Sequence, residues 1–219
     1  IDLYTKHENR IFANPPDKGR IFLTKDPKDI IVVGPILKVN PDLHVICMVR
    51  DPRDTIVSKH RKDPDKYWAS LRYWKTYMPI WRRLRKHPRF ISVRYEDFVS
   101  EPDRVQQKLL DEMPFLIKKA PFTRYHEVAE PSGDSLDALR GVRPIAPVNI
   151  GNWRNHLSRV AGQIQRHGSI SKDLIDLAYE KDDSWLDILE DIEPDLSPSH
   201  WPEYATKAWI RGQQRGKYK

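Results

Sequence analysis

An α/β domain with a central parallel sheet flanked by helices is the fold this sequence predicts, and three observations carry that expectation. The run Leu43 to Val49 is apolar, and Val45, Ile46 and Val49 supply the β-branched residues of a strand covered on both faces, as in a parallel sheet. Upstream, Arg20 to Thr24 reads as another short strand, ending in the turn Lys25-Asp26-Pro27 and followed by the apolar stretch Ile30 to Val39. Downstream, Tyr67, Leu71, Trp74, Met78, Trp81 and Leu84 recur at helical spacing through Tyr67 to Arg85.

The strand at 43–49 ends abruptly in Arg50-Asp51-Pro52-Arg53-Asp54. Asp51 suits the cap of a following helix, and Pro52 its first position, where no backbone N–H is needed. Arg50 then stands at the carboxyl edge of a sheet strand, where open α/β sheets bind ligands, and its planar fork suits a phosphate. An anionic ligand is the first expectation. The plainer reading pairs Arg50 with Asp54 at the surface and turns Ser58 back onto its own helix.

Through Tyr67 to Arg85 the apolar stripe reads as core, and Pro79 is expected to kink the helix or split it. Its basic residues Arg72, Lys75, Arg82, Arg83, Arg85 and Lys86 fall mostly off the stripe, on an expected solvated face. Asp103 to Met113 and Ser171 to Lys181 read as helices, the latter with Leu174, Ile175 and Ala178 on one face, and Trp185 to Ile192 continues the helical region. Residues 129–147 contain Pro131, Gly133, Gly141, Pro144 and Pro147, lack periodicity and read as a long loop. Residues 209–219 form a basic tail.

Composition bounds the function classes. The 219 residues suit a single domain over 1–219 with one sizeable core. Seven tryptophans argue for a folded chain despite 32% charged residues. A net charge of +7 favours polyanionic partners without choosing among a nucleotide, an acidic glycan, nucleic acid and an anionic membrane. The one cysteine, Cys47, excludes an internal disulfide and reads as a small buried hydrophobe. No apolar run approaches the roughly 18 residues that span a bilayer and no signal-peptide pattern is present, so a cytoplasmic location is expected. The eight histidines show no metal-ligand spacing, so no metal is expected. Hydrolase and dinucleotide readings lack their G-x-S-x-G and G-x-G-x-x-G turns.

Arg50, Pro52, Asp54 and Ser58 fit the pattern R-[DN]-P-x-D-x-x-x-S, and three further segments accompany it in order: Lys25-Asp26-Pro27, Arg89 to Phe98 with Tyr95-Glu96-Asp97-Phe98 and then Pro102, and Gly151 to Leu157. Together they resemble the sulfotransferases, enzymes that move a sulfuryl group from 3′-phosphoadenosine 5′-phosphosulfate (PAPS) to an acceptor. The first is similar to that family's 3′-phosphate segment, and the second to the K-x-P turn of its glycan-modifying and bacterial branches. The third is similar to its strand and Y-E-D-[LF] segment, and the last to its G-x-W-[KR]-x-[HF]-[LF] loop.

The resemblance implies a P-loop nucleotide-binding-like sulfotransferase fold in which Arg50 and Ser58 hold the 3′-phosphate and Tyr95 lies against the adenine. Gly151, Trp153 and Arg154 would line the cofactor, with residues 129–147 as a lid bringing Arg140 or Arg143 to a phosphate. Lys25 would be the catalytic cation beside the transferring group, and His7 or Glu8 the base. The product is 3′-phosphoadenosine 5′-phosphate (PAP). The acceptor would be a hydroxyl or amine of a carbohydrate, including an anionic glycan, with neither metal nor nucleic acid involved.

Two departures stand out. The family opens with a strand and a P-loop-like turn that hold the 5′-phosphosulfate, and residues 1–30 contain no such turn, so an upstream piece carrying both is expected to be missing. Where cytosolic members carry an R-K-G triplet, this chain has Ala146-Pro147-Val148. A non-catalytic nucleotide- or polyanion-binding domain on the same fold is the alternative.

Overall fold

The computed structural model describes residues 21, 23, 30–60, 63–130 and 141–199. His7, Glu8, Lys25, Arg140 and the tail 209–219 lie outside the described residues. Of the strand expected at 20–24 only Ile21 and Leu23 are described, both exposed and in no strand.

Helix α1 (Ile30–Val39) precedes the central strand β1 (Val45–Val49), which is followed by the short helix α2 (Pro52–Ile56). The hairpin of β2 (Lys59–His60) and β3 (Asp63–Tyr67) leads into the long helix α3 (Leu71–Leu84) and then β4 (Phe90–Arg94). Next come α4 (Tyr95–Ser100), α5 (Pro102–Glu112), α6 (Tyr125–Val128), α7 (Leu157–His167) and α8 (Ser171–Asp176). Turns of 3₁₀ helix lie at Phe122–Arg124, Asn152–Asn155 and Asp183–Leu189.

Strands β1 and β4 pair in parallel, from Val45 opposite Phe90 to Val49 opposite Arg94. Helices flank the pair on both sides, α1 and α3 on one and α5 over β4 on the other, giving the α/β architecture with a flanked parallel sheet. Val33 and Leu37 of α1 and Met78, Trp81 and Leu84 of α3 pack with Val49 and Phe90 on one face. On the other face Ile91 and Val93 meet Val105 and Leu109 of α5. Arg89, at the foot of β4, donates to the carbonyls of Leu37, Asn40 and Leu43 at 2.6, 2.5 and 3.1 Å, tying the end of α1 to the sheet. Among the described residues no helix is long and apolar enough to cross a membrane.

Several local expectations are corrected. β1 is not covered on both faces among the described residues: Ile46 and Met48 are 44% and 49% exposed, because α5 lies over β4 and leaves the neighbouring strand open. α3 starts at Leu71, since Tyr67 is drawn into β3, and it continues through Pro79 as one helix with Met78 and Trp81 buried on either side. Its basic residues are not all solvated. Lys75 donates to the carbonyls of His167 and Gly168, and Arg82 to Asp173 and Asp176, so α3 is bound to α7 and α8. The helix expected at 171–181 ends at Asp176, where Ala178 turns left-handed at φ 55° and the Tyr179 N–H returns to the Leu174 carbonyl at 2.8 Å. Ile175 and Ala178 are therefore exposed while Leu174 is buried. The 185–192 region is 3₁₀ over Asp183–Leu189.

Candidate functional site

The site begins where β1 stops. The Val49 side chain belongs to the α1–α3 core, so by strand alternation the next residue, Arg50, emerges on the opposite face. Its guanidinium lies 4.5 Å from the ring centroid of Tyr95, the first residue of α4, and Nη2 donates to the Asn149 carbonyl at 3.0 Å. The Arg50 Nε is buried without a partner. An arginine has five N–H donors, so this one keeps unused capacity for an acceptor such as a phosphate.

α2 is built as its sequence requires. Asp51 caps it, accepting the Arg53 N–H at 2.8 Å, and Pro52 occupies the first turn. Arg53 is 2% exposed and wraps the same carboxylate, with Nη2 donating to Oδ2 at 2.7 Å and Nε to Oδ1 at 3.1 Å. Its Nη1 donates to Glu180 at 2.5 Å, and its guanidinium lies 4.1 Å from the Trp153 ring and 4.9 Å from the Trp185 ring. This arginine is fully engaged inside the protein.

Asp54 does not pair with Arg50 as the plainer reading had it. Its Oδ2 accepts the Gly151 N–H at 2.8 Å and its Oδ1 the Trp153 N–H at 2.9 Å, which clamps the loop at 149–153 onto α2. Burial pushes the carboxyl of Asp54 upward from its ordinary pKa, against the downward pull of those two N–H groups. Gly151 supplies the left-handed turn of this loop at φ 72°, and a Cβ there would come within 2.9 Å of Arg154 Nη1. Trp153 is buried, while the exposed Arg154 lays its guanidinium 4.5 Å from the Trp153 ring.

The expected residues are therefore placed unequally. Arg50, Tyr95, Gly151, Trp153 and Arg154 gather around the carboxyl end of β1 and the loop held to it. Ser58, past the far end of α2, donates its hydroxyl to the Asp54 carbonyl at 3.0 Å, so the plainer reading describes that residue. Arg143 is exposed in the segment that precedes the clamped loop.

Sequence reasoning gave no role to three residues here, although Glu96 stood in the Tyr95-Glu96-Asp97-Phe98 segment. The Glu96 carboxylate accepts the Asp51 N–H at Oε1 and the Tyr179 hydroxyl at Oε2, both at 2.9 Å, joining α4 to the cap of α2. Burial, with Glu96 beside it, drives the Tyr179 hydroxyl far above its ordinary pKa, so it stays a donor. Arg94 ends β4 with its guanidinium 4.5 Å from the Tyr179 ring. The signal for Arg94 was in the chain: both parallel strands close on Val-Arg, Val49-Arg50 and Val93-Arg94.

No curated protein and no solved structure matches the chain. The model of the Sulfotransferase family matches residues 3–114, just over half of the chain, taking in Arg50 to Ser58 and Tyr95 to Phe98 and ending before the clamped loop. Since the matched span contains the parallel strand pair that carries Arg50 to the sheet's carboxyl edge, the chain belongs to the sulfotransferase family.

Proposed function

We propose that the protein transfers a sulfuryl group from PAPS to a hydroxyl or amine of an acceptor, with a carbohydrate as the acceptor class. The observation that carries this reading is Arg50: a half-buried guanidinium at the sheet's carboxyl edge, stacked on Tyr95, with a buried Nε that lacks a partner. A 3′-phosphate supplies the missing acceptor, and the aromatic ring beneath offers a surface for an adenine.

PAPS contributes the activated sulfuryl group and leaves as PAP. In this reading Arg50 fixes the 3′-phosphate, and Ser58 joins it by turning its hydroxyl from the Asp54 carbonyl. Gly151, Trp153 and Arg154 shape the nucleotide's flank, held there by Asp54, and Arg143 adds positive charge. Lys25 is the fixed cation that stabilises charge building at the reacting centre, and His7 or Glu8 takes the acceptor proton. The net charge of +7 supports an anionic donor and an anionic glycan acceptor.

The test is thermal unfolding with PAP and with 5′-AMP at equal concentration, followed by transfer from PAPS to a panel of glycans. Ligand at about 100 times its Kd adds ~2.7 kcal/mol, a shift of a few degrees. PAP is expected to shift the wild type far more than 5′-AMP does, and Arg50→Ala to erase the difference. Equal shifts from both nucleotides in the wild type would remove the 3′-phosphate assignment. Lys25→Ala is expected to lower turnover by more than about threefold, the equivalent of ~0.7 kcal/mol of barrier. Turnover preserved in that variant would remove Lys25 from the chemistry.

A further inference from the structure

We infer that Tyr179 is a positioning residue of this site: its hydroxyl holds Glu96, Glu96 holds the backbone turn that carries Arg50, and preference for a 3′-phosphate depends on that chain of contacts. The inference rests on the reading of Arg50 given above.

The turn is gripped twice by the start of α4. The peptide N–H that follows Arg50 belongs to Asp51 and donates to Glu96 Oε1 at 2.9 Å, while the ring of Tyr95, the residue before Glu96, lies 4.5 Å from the Arg50 guanidinium. A guanidinium at a strand end swings with the peptide beneath it, so the aim of its remaining donors depends on that N–H being held.

Glu96 in turn needs a second hold. A glutamate side chain is long, and fixing it by one oxygen alone leaves much of its rotamer freedom to oppose the bond. The Tyr179 hydroxyl donates to Oε2 at 2.9 Å, so the carboxylate is pinned at both oxygens. Burial, with Glu96 beside it, keeps the proton on that hydroxyl. Among the described residues Glu96 is the hydrogen-bond partner of the hydroxyl, and a phenylalanine would fill the same space without it.

Tyr179 is itself firmly placed. Ala178 turns left-handed at φ 55°, and the Tyr179 N–H returns to the Leu174 carbonyl at 2.8 Å. The ring packs against both the α1–α3 core and the core of Trp153, Val160 and Leu174, with the Arg94 guanidinium 4.5 Å from its centroid. Glu180, next in the chain, accepts from Arg53, which forks onto the Asp51 carboxylate. Two consecutive residues thus hold Asp51, one through its backbone N–H and one through its side chain, and both lie beyond the span that the family model matches.

The experiment is calorimetric titration of PAP and 5′-AMP into the wild type, Y179F, E96A and the Y179F/E96A double variant, with thermal unfolding of each as the check on folding. Y179F removes the hydroxyl and keeps the ring, so it is expected to weaken PAP about fivefold and to leave 5′-AMP within about twofold. E96A is expected to weaken PAP at least as much, and the double variant to bind PAP no worse than E96A, because the hydroxyl acts through that carboxylate. E96D, whose carboxylate is a methylene short of spanning both donors, carries the test if Y179F does not fold, with the same selective loss of PAP. If Y179F leaves PAP within about twofold, weakens both nucleotides alike, or adds its loss in full to that of E96A, the role of Tyr179 is overturned, and the sulfotransferase reading stands on the wild type's preference for PAP. If the wild type binds PAP no better than 5′-AMP, both are overturned.

Discussion

The Asp54 carboxylate accepts the backbone N–H of Trp153 at 2.9 Å, joining α2 to a loop 99 residues further along the chain. With the second bond, from Gly151, it is the clasp that keeps the loop at 149–153 beside Arg50. Asp54→Ala leaves both N–H groups without their acceptor, and each such loss costs about 1–3 kcal/mol. Urea unfolding should show a deficit of that order or larger, with Asp54→Asn recovering only part because it presents one acceptor oxygen. A deficit below ~0.5 kcal/mol would mean that the loop is held by something else.

Arg53 is as enclosed as Asp54, each 2% exposed, and it is held by two carboxylate partners, Asp51 and Glu180. Arg53→Ala leaves Asp51 and Glu180 facing a buried gap and should destabilise the protein by about 3–5 kcal/mol. Arg53→Lys should rescue little, because one ammonium cannot reproduce the fork on Asp51 and the reach to Glu180. Denaturant midpoints for the two variants check this, and a lysine variant as stable as wild type would overturn it.

Alkaline stability should report on Tyr67. Its hydroxyl donates to Asp195 at 2.8 Å, and burial together with that carboxylate raises its pKa from 10.0 to about 12. A folded pKa above the unfolded one contributes stability that is whole below pH 10 and lost as pH rises through 12. The loss is on the order of 2 kcal/mol across that window. Unfolding free energies at pH 9, 10.5 and 12 for wild type and Tyr67→Phe should therefore converge as pH rises, and parallel curves would refute the assignment.

Cys47 sits mid-strand in β1, where burial raises its thiol from 9.0 to about 11. The thiolate is the reactive form, so alkylation by iodoacetamide at pH 8 should run about a hundredfold slower in the native protein than in urea. Comparable rates would show that β1 opens readily.

What could be read from the sequence was local. The apolar composition of β1, the Asp51 cap and Pro52 all follow from neighbouring residues, and the structure keeps each of them. Tyr67 was harder. It fits a helical stripe with Leu71 and Trp74, yet its partners are Lys59 across the hairpin and the Arg159 guanidinium 4.1 Å from its ring. No spacing rule reports a partner that far along the chain. The same holds for Asp54, whose role depends on a loop that only the tertiary fold brings near. Ser58 carries the motif serine, but whether its hydroxyl serves a ligand or its own helix depends on which acceptor is present, and the sequence is silent on that. The exposure of Ile46 and Met48 was equally hidden, since β-branched residues mark strand structure and say nothing of how far a neighbouring helix extends.

The Arg53 bond to Glu180 spans 127 residues. During synthesis, β1, α2 and β4 leave the ribosome long before that partner does, and until it arrives Arg53 has one of its two anions and Asp54 has no loop to hold. The early segments hold both strands of the parallel pair, whereas the contacts that enclose α2 must wait for the last third of the chain, and such long-range closures slow folding. A nascent chain released at residue 114, where the family match ends, would carry Arg50, Asp54 and Tyr95 in the right order without the surroundings that aim them.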